Sequence, residues 1–293
     1  MSSKYYIAWK PQSPDVKYWD WFQPDGILLS FSKLKGLLLK RILARGIHEY
    51  LGFHGEVFMD GGAYGYPGYV PPYTQRQILA FQTWIRPNKI SHLDHPFVGA
   101  RALADNVKWN LLRSTIENAR TATQWEDERD RDCVVVYTIQ GWNFESAALC
   151  TKKLAKLKRD NYALGSLIGV HPREVVRRII CARQILGKEP SLHLFGTSTP
   201  KVLNKVRHLV DSFDSAAPAI AAVCKEVVTP FLRRAHIDAE KFKKQSDCPC
   251  PACKRNELAI QMKGLSQQSE RFNFSRAVHN AYFYTQYAHA GPA

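Results

Sequence analysis

An α/β fold, a closed parallel (β/α)8 barrel of the TIM type with a C-terminal helical appendix, is the class this 293-residue sequence predicts. Three observations predict it. Eight short β-rich runs are closed at or just after their ends by Gly, Asp, Ser or Pro, most are separated by stretches of helical period, and the pattern stops after residue 214. The runs are 5–9, 27–31, 57–60, 90–94, 134–140, 162–165, 192–196 and 210–214. The helical intervals between them are 74–84, 101–123, 143–159, 172–186 and 200–209, with Pro172 and Pro200 suited to a first helical turn. The first two connections carry little helical period, which leaves an open doubly wound sheet as the alternative. No Gly-rich dinucleotide fingerprint or phosphate loop follows any strand, and that counts against it.

The chain divides as a barrel over 1–217 and a helical subdomain over 218–293, with helix expected at 218–244 and 257–287. The acidic and basic run at 126–132 reads as a solvated loop before the fifth strand. Hydrophobic residues at 45% and charged residues at 23% suit a folded core, and no apolar run approaches the ~18 residues that span a bilayer. The N-terminus lacks a signal-type apolar core, and Cys133, Cys150, Cys181 and Cys224 are scattered, so a reducing, cytoplasmic setting without membrane partners is expected.

Forty-one Lys and Arg against 26 Asp and Glu give a net charge of +15, and the excess clusters at 152–159, 173–183 and 233–244 and at Lys254 and Arg255. A surplus of this size attracts polyanions, so nucleic acid is the first partner to consider.

In such a barrel the active site forms at the C-terminal strand ends. Asp60, Asp94, Gln140 with Gly141, Gly165 with Ser166, and Asp214 all fall there. Any one of these carboxylates alone is also what a helix N-cap or a turn supplies, and Gln140 alone could satisfy backbone. Several at one mouth fit displacement at a sugar carbon, one carboxylate attacking the anomeric centre and another moving the leaving group's proton. Gly61 and Gly62 would let a planar ligand approach the backbone, and Tyr64, Tyr66 and Tyr69 offer stacking surfaces or rim packing. The histidines flanking Asp94, His92 and His95, read as packing residues, and His48, His54, His171, His193, His208 and His236 have no partners at metal spacing, so none is assigned to catalysis.

Cys248, Cys250 and Cys253 follow a Cys-x-Cys-x-x-Cys pattern, and 25 residues separate Cys253 from His279. Three thiolates and an imidazole make a closed structural zinc site with no open position for a water nucleophile.

That signature, with Asn280 after the histidine, resembles the tRNA-guanine transglycosylase superfamily. The strand ends resemble it in order: "MDGGAYG" (59–65), "SHLD" (91–94), "IQGWNFESAALC" (139–150), "YALGSLIG" (162–169), "LFGTSTPKVL" (194–203) and "VDSFDSAAP" (210–218). The resemblance implies that Asp214 is the nucleophile that displaces guanine and that Asp60 is the general acid/base. Asp94, Gln140, Gly141, Gly165, Ser166 and Leu167 would surround the base, with Phe195 at the pocket floor, and a 7-deazaguanine would be the incoming base.

The chain also departs from the family's pattern. Residues 217–220, "APAI", stand where the tRNA enzymes continue Leu-Pro-Thr-Arg toward a β-ribbon that engages tRNA, and a helical segment without the ribbon is expected here. Ser166 replaces a glycine of the base pocket, and Ala63 and Tyr64 replace an aromatic-Gln pair. These departures resemble the DNA-guanine transglycosylases of bacterial and phage 7-deazaguanine modification systems. DNA is therefore the expected polymer, probed by base flipping, with tRNA the alternative, 7-cyano-7-deazaguanine the expected base, and a partner ATPase or nuclease a further partner that such systems imply. A non-catalytic nucleic-acid-binding subunit is the reading from another class, and retention of Asp60 and Asp214 argues against it.

Overall fold

In a computed structural model, eight parallel strands close into a barrel in sequence order, β1 pairing with β8. Residues 3–10, 16–66, 71–99, 102–128, 133–236, 248–255 and 270–290 are described, without the side chains of 236 and 270–273. The strands are β1 (Lys4–Trp9), β2 (Gly26–Ser30), β3 (Glu56–Asp60), β4 (Lys89–Ser91), β5 (Val134–Ile139), β6 (Asn161–Leu164), β7 (Ser191–Leu194) and β8 (Ser212–Ser215).

Alternation along these strands sorts the core into two layers. Tyr6, Leu28, Phe58, Val136 and Ala163 fill the interior, with Phe195 packed on them. The other face, which includes Ile27, Val57, Tyr137, Leu164, Leu194 and Phe213, packs against the helices. The barrel is thus plugged below its mouth, and polar side chains that continue the inward register past this plug face the opening.

Helices α3 (Gln75–Ile85), α4 (Asp105–Asp127), α5 (Phe144–Ala155), α6 (Pro172–Leu186) and α7 (Pro200–Val206) follow strands three to seven. Thr74 and Gln77 form a capping box on α3, and Asn143 and Ser146 form one on α5. Pro172 and Pro200 stand in first turns as expected.

The β2–β3 connection differs from expectation, because it carries two helices, α1 (Gly36–Arg45) and α2 (Ile47–Leu51). Only Ile42 of α1 is buried and Leu37 is 63% exposed, so the apolar residues of this helix do not mark one clean stripe. The β1–β2 connection has a single 3-10 turn, Tyr18–Asp20, among its described residues. Glu126 is not solvated: it is buried at the end of α4, where the Tyr137 hydroxyl donates to it at 2.8 Å and Arg159 lies 3.4 Å away.

After β8, the helix expected over 218–244 stops early. Helix α8 spans Ala217–Val223, and Lys225 takes a φ of 61°. An antiparallel pair follows, β9 (Glu226–Val228) with β10 (Arg234–His236). Val227, Val228 and Thr229 favour extended backbone, and Pro230 follows them in the connection. A short β-ribbon therefore occupies the place where no ribbon was expected. Residues 237–247 and 256–269 lie outside the described residues.

The C-terminal helix Glu270–His289 packs on α8, β1 and β9 and so covers the seam where β8 meets β1. Tyr284 stacks on Tyr5 at 5.5 Å, and Arg207 donates to the Tyr287 carbonyl at 3.2 Å near the helix end. Among the described residues no helix is long and apolar enough to cross a membrane.

Candidate active site and metal centre

The inward-facing residues at the C-terminal strand ends converge. Asp60 closes β3 and pairs in register with Ser30 of β2. Gly62 N donates to its Oδ1 at 2.6 Å. Burial pushes the Asp60 carboxyl up to about 7; the Ser30 hydroxyl and the Gly62 N–H pull it down, while the negative charges of Asp94 and Asp214 push it further up. Asp60 therefore faces the other two carboxylates across a single mouth. Gly61 lets the chain pass close to the β4 end, since a Cβ there would lie a tight 3.0 Å from the His92 carbonyl oxygen.

Asp94 follows a β4 of only three residues, and helices hold its loop instead of the sheet. The Gln75 side chain of α3 accepts from Leu93 N at 2.5 Å, and Gln82 donates to carbonyls of Met59, Asp60 and Ser91. From α4, Thr115 accepts from His95 N at 3.0 Å and Asn118 donates to the Leu93 carbonyl at 2.9 Å. His92 accepts from Thr138 N at 3.2 Å, a packing role as expected. None of these clamps was singled out from the sequence, although polar residues on the buried faces of α3 and α4 are the signal that could have revealed them.

Gln140 donates through Nε2 to Asp94 and accepts at Oε1 from the Ser166 hydroxyl. Ser166 in turn accepts from Phe97 N at 2.7 Å. The Gln140 amide is thus held with its donor end toward Asp94. Burial raises the Asp94 carboxyl to about 6, and the Gln140 hydrogen bond opposes this. Gly165 leaves room for that amide, because a Cβ would meet Gln140 Nε2 at 2.5 Å. Ser166 stands at a φ of 55°, left-handed backbone that favours glycine. Gly141 lies against the start of α5, where a Cβ would sit 2.4 Å from Ala147 N, and Arg178 donates to its carbonyl at 3.2 Å. Leu167 is buried, and Phe195 packs on Phe58 with ring centroids 5.5 Å apart.

Asp214 is buried on β8, and its Oδ1 accepts from Gly196 N at 2.8 Å and from His193 Nε2 at 3.2 Å. His193 was not among the residues expected here. Its position one strand over, alternating with outward-facing Leu192 and Leu194 on β7, is the signal that could have placed it. Tyr64 is 55% exposed, Tyr66 packs edge-on against Tyr73 at 6.0 Å, and Tyr69 lies outside the described residues.

This constellation combines one buried, hydrogen-bonded carboxylate with a second that titrates near neutrality. The profile of a family described as queuine tRNA-ribosyltransferase matches residues 38–290. The chain belongs to that family. A tRNA-guanine(15) transglycosylase of Korarchaeum cryptofilum is 28% identical over 255 residues, which cover 84% of this chain and 41% of the relative. That of Pyrococcus abyssi is 28% identical over 229 residues, covering 74% and 37%. A queuine tRNA-ribosyltransferase of Clostridium acetobutylicum is 31% identical over 140 residues, covering 45% and 37%. The chain thus spans about two fifths of the length of these family members.

Away from the mouth, the ligand atoms of Cys248, Cys250, Cys253 and His279 all lie within 4.8 Å of one another. The three sulfurs stand 3.6, 3.2 and 3.4 Å from His279 Nδ1. Tetrahedral zinc with ordinary Zn–S and Zn–N bonds requires about 3.6 Å between sulfur and nitrogen, so the cluster fits the ion. The far ring nitrogen, Nε2, donates to the Val228 carbonyl at 3.1 Å, which orients the ring with Nδ1 toward the sulfurs. Asn280 accepts from Val228 N at 2.7 Å and donates to the Pro218 and Glu226 carbonyls. Together these contacts tie the C-terminal helix to α8 and β9.

Proposed function

We propose that the chain exchanges guanine in a nucleic acid for a 7-deazaguanine base, through a covalent glycosyl-Asp214 intermediate. The pairing of Asp214 with Asp60 carries this reading: the first has a carboxylate oxygen without a hydrogen-bond partner among the described residues, and the second is poised near 7 by burial.

In the forward step a bond forms between Asp214 and C1′ of the sugar while the C1′–N9 bond breaks. The bonding pair leaves with guanine, which takes a proton from Asp60. The incoming base then gives its N9 proton to the Asp60 carboxylate as N9 attacks C1′, and Asp214 departs as a carboxylate. Asp94, Gln140 and the backbone at Gly165, Ser166 and Leu167 recognise the base edge, with Gly141 fixing the end of β5 and Phe195 forming the floor.

A flipped base needs a surface to hold its flanking strand. On the rim beside Gln140, Trp109 is 43% exposed with its ring 4.8 Å from Trp142, and Arg177 lies over the Phe144 ring at 3.7 Å. These groups and the net charge of +15 support a polyanionic partner.

The relatives are named for tRNA, which makes tRNA the better supported polymer here. The DNA reading rests on Ala217, Pro218, Ala219 and Ile220 after the nucleophile strand, and the short β9–β10 ribbon weakens it. A 7-cyano-7-deazaguanine base, and a partner ATPase or nuclease, belong to that second reading. We take residues 218–293 as a subdomain whose Cys248, Cys250, Cys253 and His279 hold one structural zinc ion, which would supply folding energy and no open coordination position for chemistry.

The test offers tRNA and DNA together with a labelled 7-deazaguanine. Label entering tRNA, lost in Asp214→Ala, is expected; label entering DNA instead establishes the second reading. Incorporation that survives Asp214→Ala contradicts the mechanism.

A further inference from the structure

We propose that His193 is a positioning residue for Asp214, holding Oδ1 so that Oδ2 is presented as the attacking atom. The proposal rests on the reading of Asp214 as nucleophile. Both hydrogen bonds to the carboxylate, from His193 Nε2 and Gly196 N, fall on Oδ1, and Oδ2 accepts none among the described residues.

The chemistry fixes the imidazole's state. A carboxylate only accepts, so the ring proton sits on Nε2, and Nδ1 of a neutral ring is then free to accept from the Ser212 hydroxyl at 2.9 Å. The ring is 3% exposed and is enclosed edge-on by Tyr6 at 5.6 Å, Phe58 at 5.1 Å and Phe195 at 4.8 Å. Burial lowers its proton affinity, Asp214 works against this, and the positive charge of Lys89 works with it. The Tyr6 hydroxyl is engaged by Lys89 and Glu56 and so does not compete for the ring. A neutral donor steers the carboxylate without cancelling the negative charge that attacks C1′, as an imidazolium would.

The order Ser212, His193, Asp214 has the parts of a hydrolase triad in the wrong sense for a serine nucleophile. Ser212 and Asp214 share one face of β8, a repeat of about 7 Å apart. Ser212 precedes Asp214 on the strand and so lies deeper, and a substrate entering at the C-terminal mouth meets Asp214 first. Asp214 thus fixes the tautomer of His193, Ser212 holds the other side of the ring, and His193 sets the rotamer of Asp214.

The experiment compares His193→Phe and His193→Gln in steady-state base exchange. Phe fits the aromatic cage without a donor, whereas the Gln amide offers one donor and one acceptor as the imidazole does. We expect Phe to lower kcat about tenfold or more, with KM for base and polymer within about twofold, and Gln to restore kcat to within about threefold of the parent. An unchanged kcat in folded His193→Phe, or equal losses in Phe and Gln, overturns the proposal. If His193→Phe does not fold, Ser212→Ala decides: a kcat loss of about threefold or more at constant KM supports the relay, and an unchanged kcat overturns it. Asp214→Ala in the same assay separates the two readings. Exchange that persists there defeats the nucleophile itself, whereas loss there with full activity in His193→Phe defeats only the positioning.

Discussion

At the tip of β3, burial raises the Asp60 carboxyl to about 7, and this links its ionisation to stability. The folded protein holds the proton more tightly than the unfolded chain, so between about pH 4 and about pH 7 folding takes up a proton and stability falls as pH rises. Above 7 the buried charge is a full cost. We expect Asp60→Asn to be more stable than the parent at pH 8, by about 1–3 kcal/mol, with the gain vanishing near pH 4, where both side chains are neutral. Thermal melts of the two proteins across that range measure it, and an advantage independent of pH would contradict it. Residue identity made Asp60, Asp94 and Asp214 legible, because acidic residues at strand ends stand out. The partners that tune them were less so: His193 and Ser212 acquire meaning only from the neighbouring registers of β7 and β8, and Ser166 shows its left-handed backbone only in three dimensions.

At the scale of elements, the barrel strands were legible because each alternates or runs apolar and ends in turn chemistry. Strand β4 ends at Ser91, short of the expected 94, since Gln75, Gln82, Thr115 and Asn118 replace sheet pairing in the Asp94 loop. The ribbon of β9 and β10 was not legible: three-residue strands carry no period to detect. The Cys248, Cys250, Cys253 and His279 cluster, readable from spacing alone, joins the C-terminal helix to this ribbon through the His279 to Val228 hydrogen bond. We expect Cys250→Ser to bind less zinc and to lose several degrees of Tm, while the protein that remains folded still performs exchange. Metal analysis with thermal melts and active-site titration checks this. A folded, zinc-free variant specifically dead in the chemical step would show that the ion has a catalytic role.

For the whole molecule, closure of the barrel turns strand ends distant in sequence into one mouth, with Tyr6, Phe58 and Phe195 as its plug. The eight-fold repeat made that architecture visible in advance, and the charge of +15 pointed to a polyanion. The identity of the polymer was less legible, since phosphate attraction carries no information about sugar or sequence. The account depends most on one bond, between Asp214 and the sugar. Its direct measurement is acid quenching of slow exchange on the labelled polymer, followed by proteolysis and mass spectrometry of the trapped peptide. The mechanism predicts a nucleic-acid adduct on Asp214, absent in Asp214→Ala. An adduct on Asp60, or none while exchange proceeds, would contradict it.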